Sequence, residues 1–203
     1  WWKQKRITIR KTSKGRQAWF DLHSMIGVFV FLFILVPTLT GVIMGFGKIT
    51  TPLMYKITSS KPSQQPDTKI DIPAGGQMIS ADSAYQIAQH AIPGATPFDI
   101  FSFGSGQAYY IRCHFPEDLT PGGRSTVIIN SYTGNIMFVQ GSRTAPAGTR
   151  LQILTRAIHT GDIFGLPSKF FGLLVCLALI AQITSGLRMW GIRKFKKSTI
   201  QKD

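Results

Sequence analysis

Apolar residues gather in two long runs, separated by a middle region of mixed polarity. The first, Asp21 to Phe46 (DLHSMIGVFVFLFILVPTLTGVIMGF), carries no charged side chain from Ser24 onward. At about 1.5 Å per residue this stretch reaches roughly 35 Å, enough to cross a hydrocarbon core of about 30 Å. It is too long for a signal-peptide core, and no small-residue cleavage pattern follows it. Backbone groups inside a bilayer must be satisfied without water, so the run predicts transmembrane helix 1 over 21–47. Pro37 is its natural kink, and Gly41 and Gly45 form a GxxxG at which a second helix could approach closely. The second run, Phe170 to Trp190 (FFGLLVCLALIAQITSGLRMW), predicts transmembrane helix 2 over 168–190. Its polar residues Gln182, Thr184 and Ser185 are expected to face another helix rather than lipid.

Between the runs the pattern changes twice. Residues 48–78, with SSKPSQQPDTKIDIPAGG at their centre, read as an extended linker without a core of its own. Ser80 then caps a predicted helix, ADSAYQIAQHAI, in which Ala84, Ile87, Ala88 and Ala91 share one face and which Pro93-Gly94 ends. FDIFSF, AYYIRCHF, STVIINSY and IMFVQG follow as short strands punctuated by Gly-Ser-Gly, Pro-Gly-Gly and Thr-Gly-Asn turns. One helix and an antiparallel meander make a small α+β domain over 79–140. Residues 150–167 open with RLQILTRAIH, whose Leu151, Leu154 and Ile158 face away from Arg150 and Arg156, as in a helix lying at a membrane surface. The fold class is therefore membrane α-helical, with two transmembrane helices in this chain and an inserted α+β domain.

Charge sharpens this picture. The net charge is +14, but seven Lys/Arg lie in the basic segment 1–20 and six in the tail from Arg188, which includes the basic stretch 191–203. Basic blocks on the outer flanks of two apolar helices predict an N-in, C-in topology with residues 48–167 extracytoplasmic. No recognition helix or aromatic stacking face accompanies the charge, so no nucleic-acid partner is expected. Membrane lipid is. Trp followed by basic residues opens the chain (WWKQKR) and recurs in MWGIRKFKK. That echo predicts that the chain begins just past another membrane helix, as the C-terminal half of a larger unit.

The chemistry rests on histidines. Cys113 and Cys176 fall in different regions and read as ordinary free cysteines, which excludes a CxxC redox or zinc site. The middle domain offers no catalytic triad and no paired carboxylates beyond Glu117-Asp118 in a turn, so no catalytic residue is assigned. His90 reads as a surface residue. Cys113 and His114, adjacent on a strand, face opposite ways and cannot share a metal. His23 and His159 are different, because each stands at a membrane boundary, one expected inside and one outside. Axial histidine is how b-type membrane cytochromes hold iron, and apolar helices supply a dry wall around the macrocycle. His23 and His159 are accordingly the expected cofactor-binding residues, as axial ligands of haem iron.

Two motifs carry a family resemblance. WFDLHSMIGVFVFLFILVPTLTG resembles the "LHxxxG…LTG" helix of the PepSY-associated transmembrane family. IHTGDIFGLPSKFFGLLVCLALIAQITSGLRMW resembles its "LHTGxxxGLPxR…TGLxLW" helix, with Ile158 in place of Leu and Ser168-Lys169 in place of Gly-Arg. ADSAYQIAQHA…TGNI resembles a PepSY module. The resemblance implies kinship with iron-regulated inner-membrane proteins and ferric-siderophore reductases, which carry haem between four helices. It puts His23 and His159 at the positions of the family's two motif histidines.

On that resemblance the expectation is an electron-transfer protein of the bacterial inner membrane. It would use haem b, two per complete four-helix unit, to reduce ferric siderophores on the periplasmic side. A core about 30 Å thick keeps His23 and His159 from sharing one iron, whose axial nitrogens stand roughly 4 Å apart. A missing N-terminal helix pair, or a second copy of the chain, would then supply the remaining ligands. The alternative is a membrane-anchored PepSY module with a binding or inhibitory role and no redox activity. A transporter fits less well, since the spans lack broken-helix pairs and buried charges.

Overall fold

The computed structural model describes residues 15–200, apart from the side chains of Arg16 and of 195–200. In chain order the elements are α1 (Arg16–Gly45), α2 (Gly47–Ile57), α3 (Ala81–Ala91), β1 (Thr96–Phe101), β2 (Tyr109–His114), β3 (Ser125–Ile129), β4 (Ile136–Gln140), a 3-10 turn (Ser142–Thr144), α4 (Ala147–His159) and α5 (Leu166–Ile200). They fall into two compact units: the chain up to Val42 with that from Leu166, and Ile43–Gly165. Most of the N-terminal basic segment, the opening Trp-basic motif and the last residues of the tail lie outside the described residues.

The first unit is a pair of helices. Gln17–Gly45 and Leu166–Lys194 are each long and apolar enough to cross a membrane. Their apolar side chains are mostly exposed, as Phe29, Phe31, Leu32, Leu173, Leu174 and Leu177 show. A helix that is apolar all round and yet uncovered is consistent with a lipid surrounding, because water would penalise every such face. Both helices run further than the periodicity predicted, α1 beginning before Asp21 and α5 continuing past Trp190. Nothing in either flanking sequence breaks a helix, so basic residues extend each one. At Pro37, Thr40 Oγ1 donates to the carbonyls of Val36 (2.9 Å) and Pro37 (3.1 Å) beside the proline.

The second unit holds the α+β domain expected from the turn spacing. Ser80 Oγ accepts from the Ser83 backbone N–H at 3.1 Å and so caps α3. The sheet is a plain antiparallel meander in the order β1-β2-β3-β4. Extra residues interrupt the ladders between Pro97 and Asp99 and opposite Ile128/Ile129. Alternate residues of β2 (Tyr109, Ile111, Cys113) join Val127 and Ile129 of β3 under Ala84, Ala88 and Ile92 to form the core. Asp118 accepts from the Phe115 N–H (2.9 Å) and from Ser142 Oγ (2.7 Å), and Glu117 pairs with Arg143 at 2.5 Å. The adjacent carboxylates of that turn are therefore struts that tie the β2–β3 loop to the 3-10 turn. Arg143 holds the Glu117 carboxyl below its ordinary range.

The connector departs from expectation. Its first third is α2, and irregular chain begins only at Thr58. Local sequence gave no reason to expect this, since Thr50, Thr51 and Pro52 are weak helix formers. Tertiary contact overrides propensity here: α2 packs on α4 with the Tyr55 ring against Gly148, where a side chain would come within 2.8 Å of ring Cγ. Tyr55 Oη and Thr149 Oγ1 are hydrogen-bonded at 2.8 Å, and the Gly148 N–H donates to Ser60 Oγ at 2.9 Å.

Candidate functional site

Contacts along α1 and α5 run in opposite order, which makes the pair antiparallel. Trp19 stacks under the Arg188 guanidinium at 5.4 Å, His23 meets Gln182 and Ser185, and Phe33 meets Phe171 edge-on at 4.8 Å. The polar part of this seam is short and centres on His23.

His23 Nδ1 lies 3.1 Å from the Gln182 backbone carbonyl and 3.0 Å from Ser185 Oγ. A carbonyl can only accept, so Nδ1 carries the proton. Ser185 Oγ, fully buried, donates in turn to the same carbonyl at 2.9 Å. Nε2 then keeps its lone pair, which accepts from the Gln182 side-chain amide at 3.0 Å. The tautomer is fixed by backbone, while Nε2 is met only by a rotatable side chain. The Gln182 Oε1 atom on that side chain is buried without a hydrogen-bond partner.

Two glycines make the approach possible. A Cβ at Gly27 would stand 2.9 Å from Gln182 Nε2, and one at Gly186 would stand 3.4 Å from His23 Cε1. At the GxxxG, a Cβ at Gly45 would touch nothing within 4 Å, so no described helix closes on that glycine. Gln182 and Ser185 do face the other helix, as their polarity predicted. Thr184 does not: it is exposed and donates back to the carbonyls of Ile180 and Ala181.

His159 is the exposed last residue of α4, where a basic side chain complements the helix dipole. It belongs to the second unit, whereas His23 belongs to the first. Among the described residues no group of three or more His, Cys, Asp or Glu converges on one point. His90 is exposed and accounted for, its Nδ1 donating to the Gln86 carbonyl at 2.7 Å. Cys113 is fully buried under α3, and burial pushes its thiol up to about 11.

A scan against protein families matches residues 1–193 to the PepSY-associated TM region. The chain belongs to the PepSY-associated TM family. No curated protein matches it. Two apolar helices and membership of the PepSY-associated TM family together support a membrane protein with an extra α+β domain. The residues that sequence reasoning missed are Gly27, one helical turn beyond His23 on the same face, and Gly186, beside Ser185. A small residue four positions from a polar one at a helix interface was the available signal.

Proposed function

We propose that this chain is a haem-binding electron-transfer protein of the bacterial inner membrane, which delivers electrons outward to ferric iron presented as a siderophore. The observation that carries the reading is the state of His23. Ligating histidines donate their second ring N–H to a carbonyl, carboxylate or water, which fixes the tautomer and raises the basicity of the free nitrogen. His23 has that arrangement, with Nδ1 held by Gln182 O and Ser185 Oγ.

The residues therefore fit an axial imidazole, provided the Gln182 amide turns away from Nε2. Haem held there would supply one-electron chemistry at its iron. The chain's own part is to hold the Nδ1 proton, to orient the ring and to keep it among apolar side chains. On the proposed N-in, C-in topology His23 serves the cytoplasmic side and His159 the periplasmic side. Each would complete its iron with a ligand from another helix pair or a second copy of the chain.

The test is an absorption spectrum of the protein extracted from membranes with and without haem supplementation. A Soret band that shifts on reduction with dithionite is expected, and His23→Ala should diminish it. A wild-type preparation that stays colourless after supplementation would leave the family's membrane module without this cofactor here.

A further inference from the structure

The second unit contains a cavity of about 270 Å³ far along the chain from His23. We propose that it binds a phosphoryl oxyanion, and that Arg124, Arg156 and Gln152 are its recognition residues. The cavity lies between α2 and α4, and the scaffold that holds it open is the Tyr55–Gly148 contact described above. Its polar lining includes Arg124, Arg156, Gln152 and Thr149, and Ile43, Met44 and Met54 supply an apolar wall.

Three observations point to an anion. Arg124 Nε and Gln152 Nε2 are buried donors with no hydrogen-bond partner, and leaving such groups unpaired is costly, more so when they are charged. Neither the Arg124 nor the Arg156 guanidinium belongs to the ion pairs Arg112–Asp99 and Arg143–Glu117. Burial, and then the positive charges of Arg156 and Arg112, pull the Arg124 guanidinium below its ordinary range. Asp162 acts in the opposite direction more weakly, so two cations and unpaired donors are met by one carboxylate, and the positive charge predominates.

The backbone is shaped to deliver Arg124. Gly123 has φ +61, and a side chain there would collide with the Cys113 carbonyl and stand 2.6 Å from the His114 Cα. The Pro121-Gly122-Gly123 turn thus presses on β2, as only glycine permits, and the next residue is the cavity's arginine. Planar guanidinium forks suit tetrahedral phosphoryl oxygens, and the unpaired Gln152 amide adds a neutral donor. The volume is below the roughly 300–1,000 Å³ usual for drug-sized ligands, which suits a single small head rather than a large substrate.

Ile43 and Met44 are both cavity wall and the last turn of an apolar helix long enough to cross a membrane. A phosphodiester of an anionic phospholipid and free inorganic phosphate share the chemistry, and the experiment separates them. Full-length protein in a phosphate-free maltoside detergent is heated with inorganic phosphate, or with phosphatidylglycerol, against chloride at matched ionic strength. Binding to the folded state alone raises the melting temperature with probe concentration. A rise with phosphatidylglycerol only assigns a lipid headgroup, and a rise with inorganic phosphate assigns a soluble oxyanion; either supports the site.

Arg124→Gln with Arg156→Gln should weaken the apparent affinity about tenfold or more, as loss of charge-assisted hydrogen bonds does. Arg124→Lys, which keeps the charge and the fold, should retain part of it. Circular dichroism confirms that each variant is folded before comparison. No rise with either probe, or an equal rise in the folded double glutamine variant, overturns the proposal. The reading stands apart from haem, because neither arm depends on a visible spectrum.

Discussion

Gln182 holds His23 at both ring nitrogens, with its backbone carbonyl at Nδ1 and its side-chain amide at Nε2. One residue thereby sets the tautomer and covers Nε2, and the two roles can be separated. Gln182→Ala removes only the amide. On the proposed function it should leave the Soret band in place and speed haem uptake. Gly27→Ala should act in the same direction, since its methyl meets only the far end of the Gln182 side chain. Slower uptake, or loss of the band in Gln182→Ala, would make the amide part of the holding site instead. Ser185→Ala, which removes a partner of Nδ1, should shift the reduction potential with little loss of haem.

On the proposed function, His23→Ala and His159→Ala should each remove about one haem's worth of absorbance from the complete assembly while the other remains, since ligands of two separate irons are lost independently. Pyridine haemochrome quantification per chain reads this directly. Equal and complete loss from either change would argue for one shared site.

Topology has its own test. Gln64 is exposed in the irregular connector, so Gln64→Cys should react with a membrane-impermeant maleimide in intact spheroplasts. Reaction only after lysis would invert the proposed orientation. The native Cys113 should stay silent in both cases, because it is fully buried with a thiol that ionises near 11.

Cys113 also predicts a pH dependence. Its ordinary value is 9.0 and its folded value about 11, so the folded state holds the proton that the unfolded chain releases first. This contribution is fully present below pH 9 and is lost as pH rises through 11, about 3 kcal/mol in all at 1.36 kcal/mol per unit. Melting curves across that window should show the decline, and Cys113→Ala should flatten it while lowering stability at neutral pH.

Gly148→Ala should separate α2 from α4. The added methyl meets an aromatic ring held by the Thr149 hydrogen bond, and overpacking of this kind costs about 1–3 kcal/mol. Hydrogen exchange should quicken in residues 47–57 and leave β2 and β3 protected.

The sequence made the two spans, the cap at Ser80 and the four strands legible because each has a strong local cause: an unbroken apolar run, a hydroxyl before a helical period, glycine turns at short intervals. His23 stood out for the same reason, as a polar residue at the head of an apolar run. What local pattern could not show was pairing. α2 is a helix because Gly148, almost a hundred positions away, accepts Tyr55. Gln182 and Ser185 announced an interhelical role, but the choice of His23 as their partner depends on how two helices are set against each other. Arg124 looked like one more basic residue until a tight turn and two neighbouring helices enclosed it.

The sheet's strand order repeats its order in the chain, and α3 immediately precedes β1. Every pairing in the meander is between consecutive strands, so each closes a short loop, which favours rapid formation. The core of this domain draws on residues from Met78 to Ile129 and needs nothing that follows β4. During synthesis it can therefore be complete while α4 and α5 are still unmade. α2 would wait beside a finished domain until α4 is made, and α1 would wait longest of all, for α5.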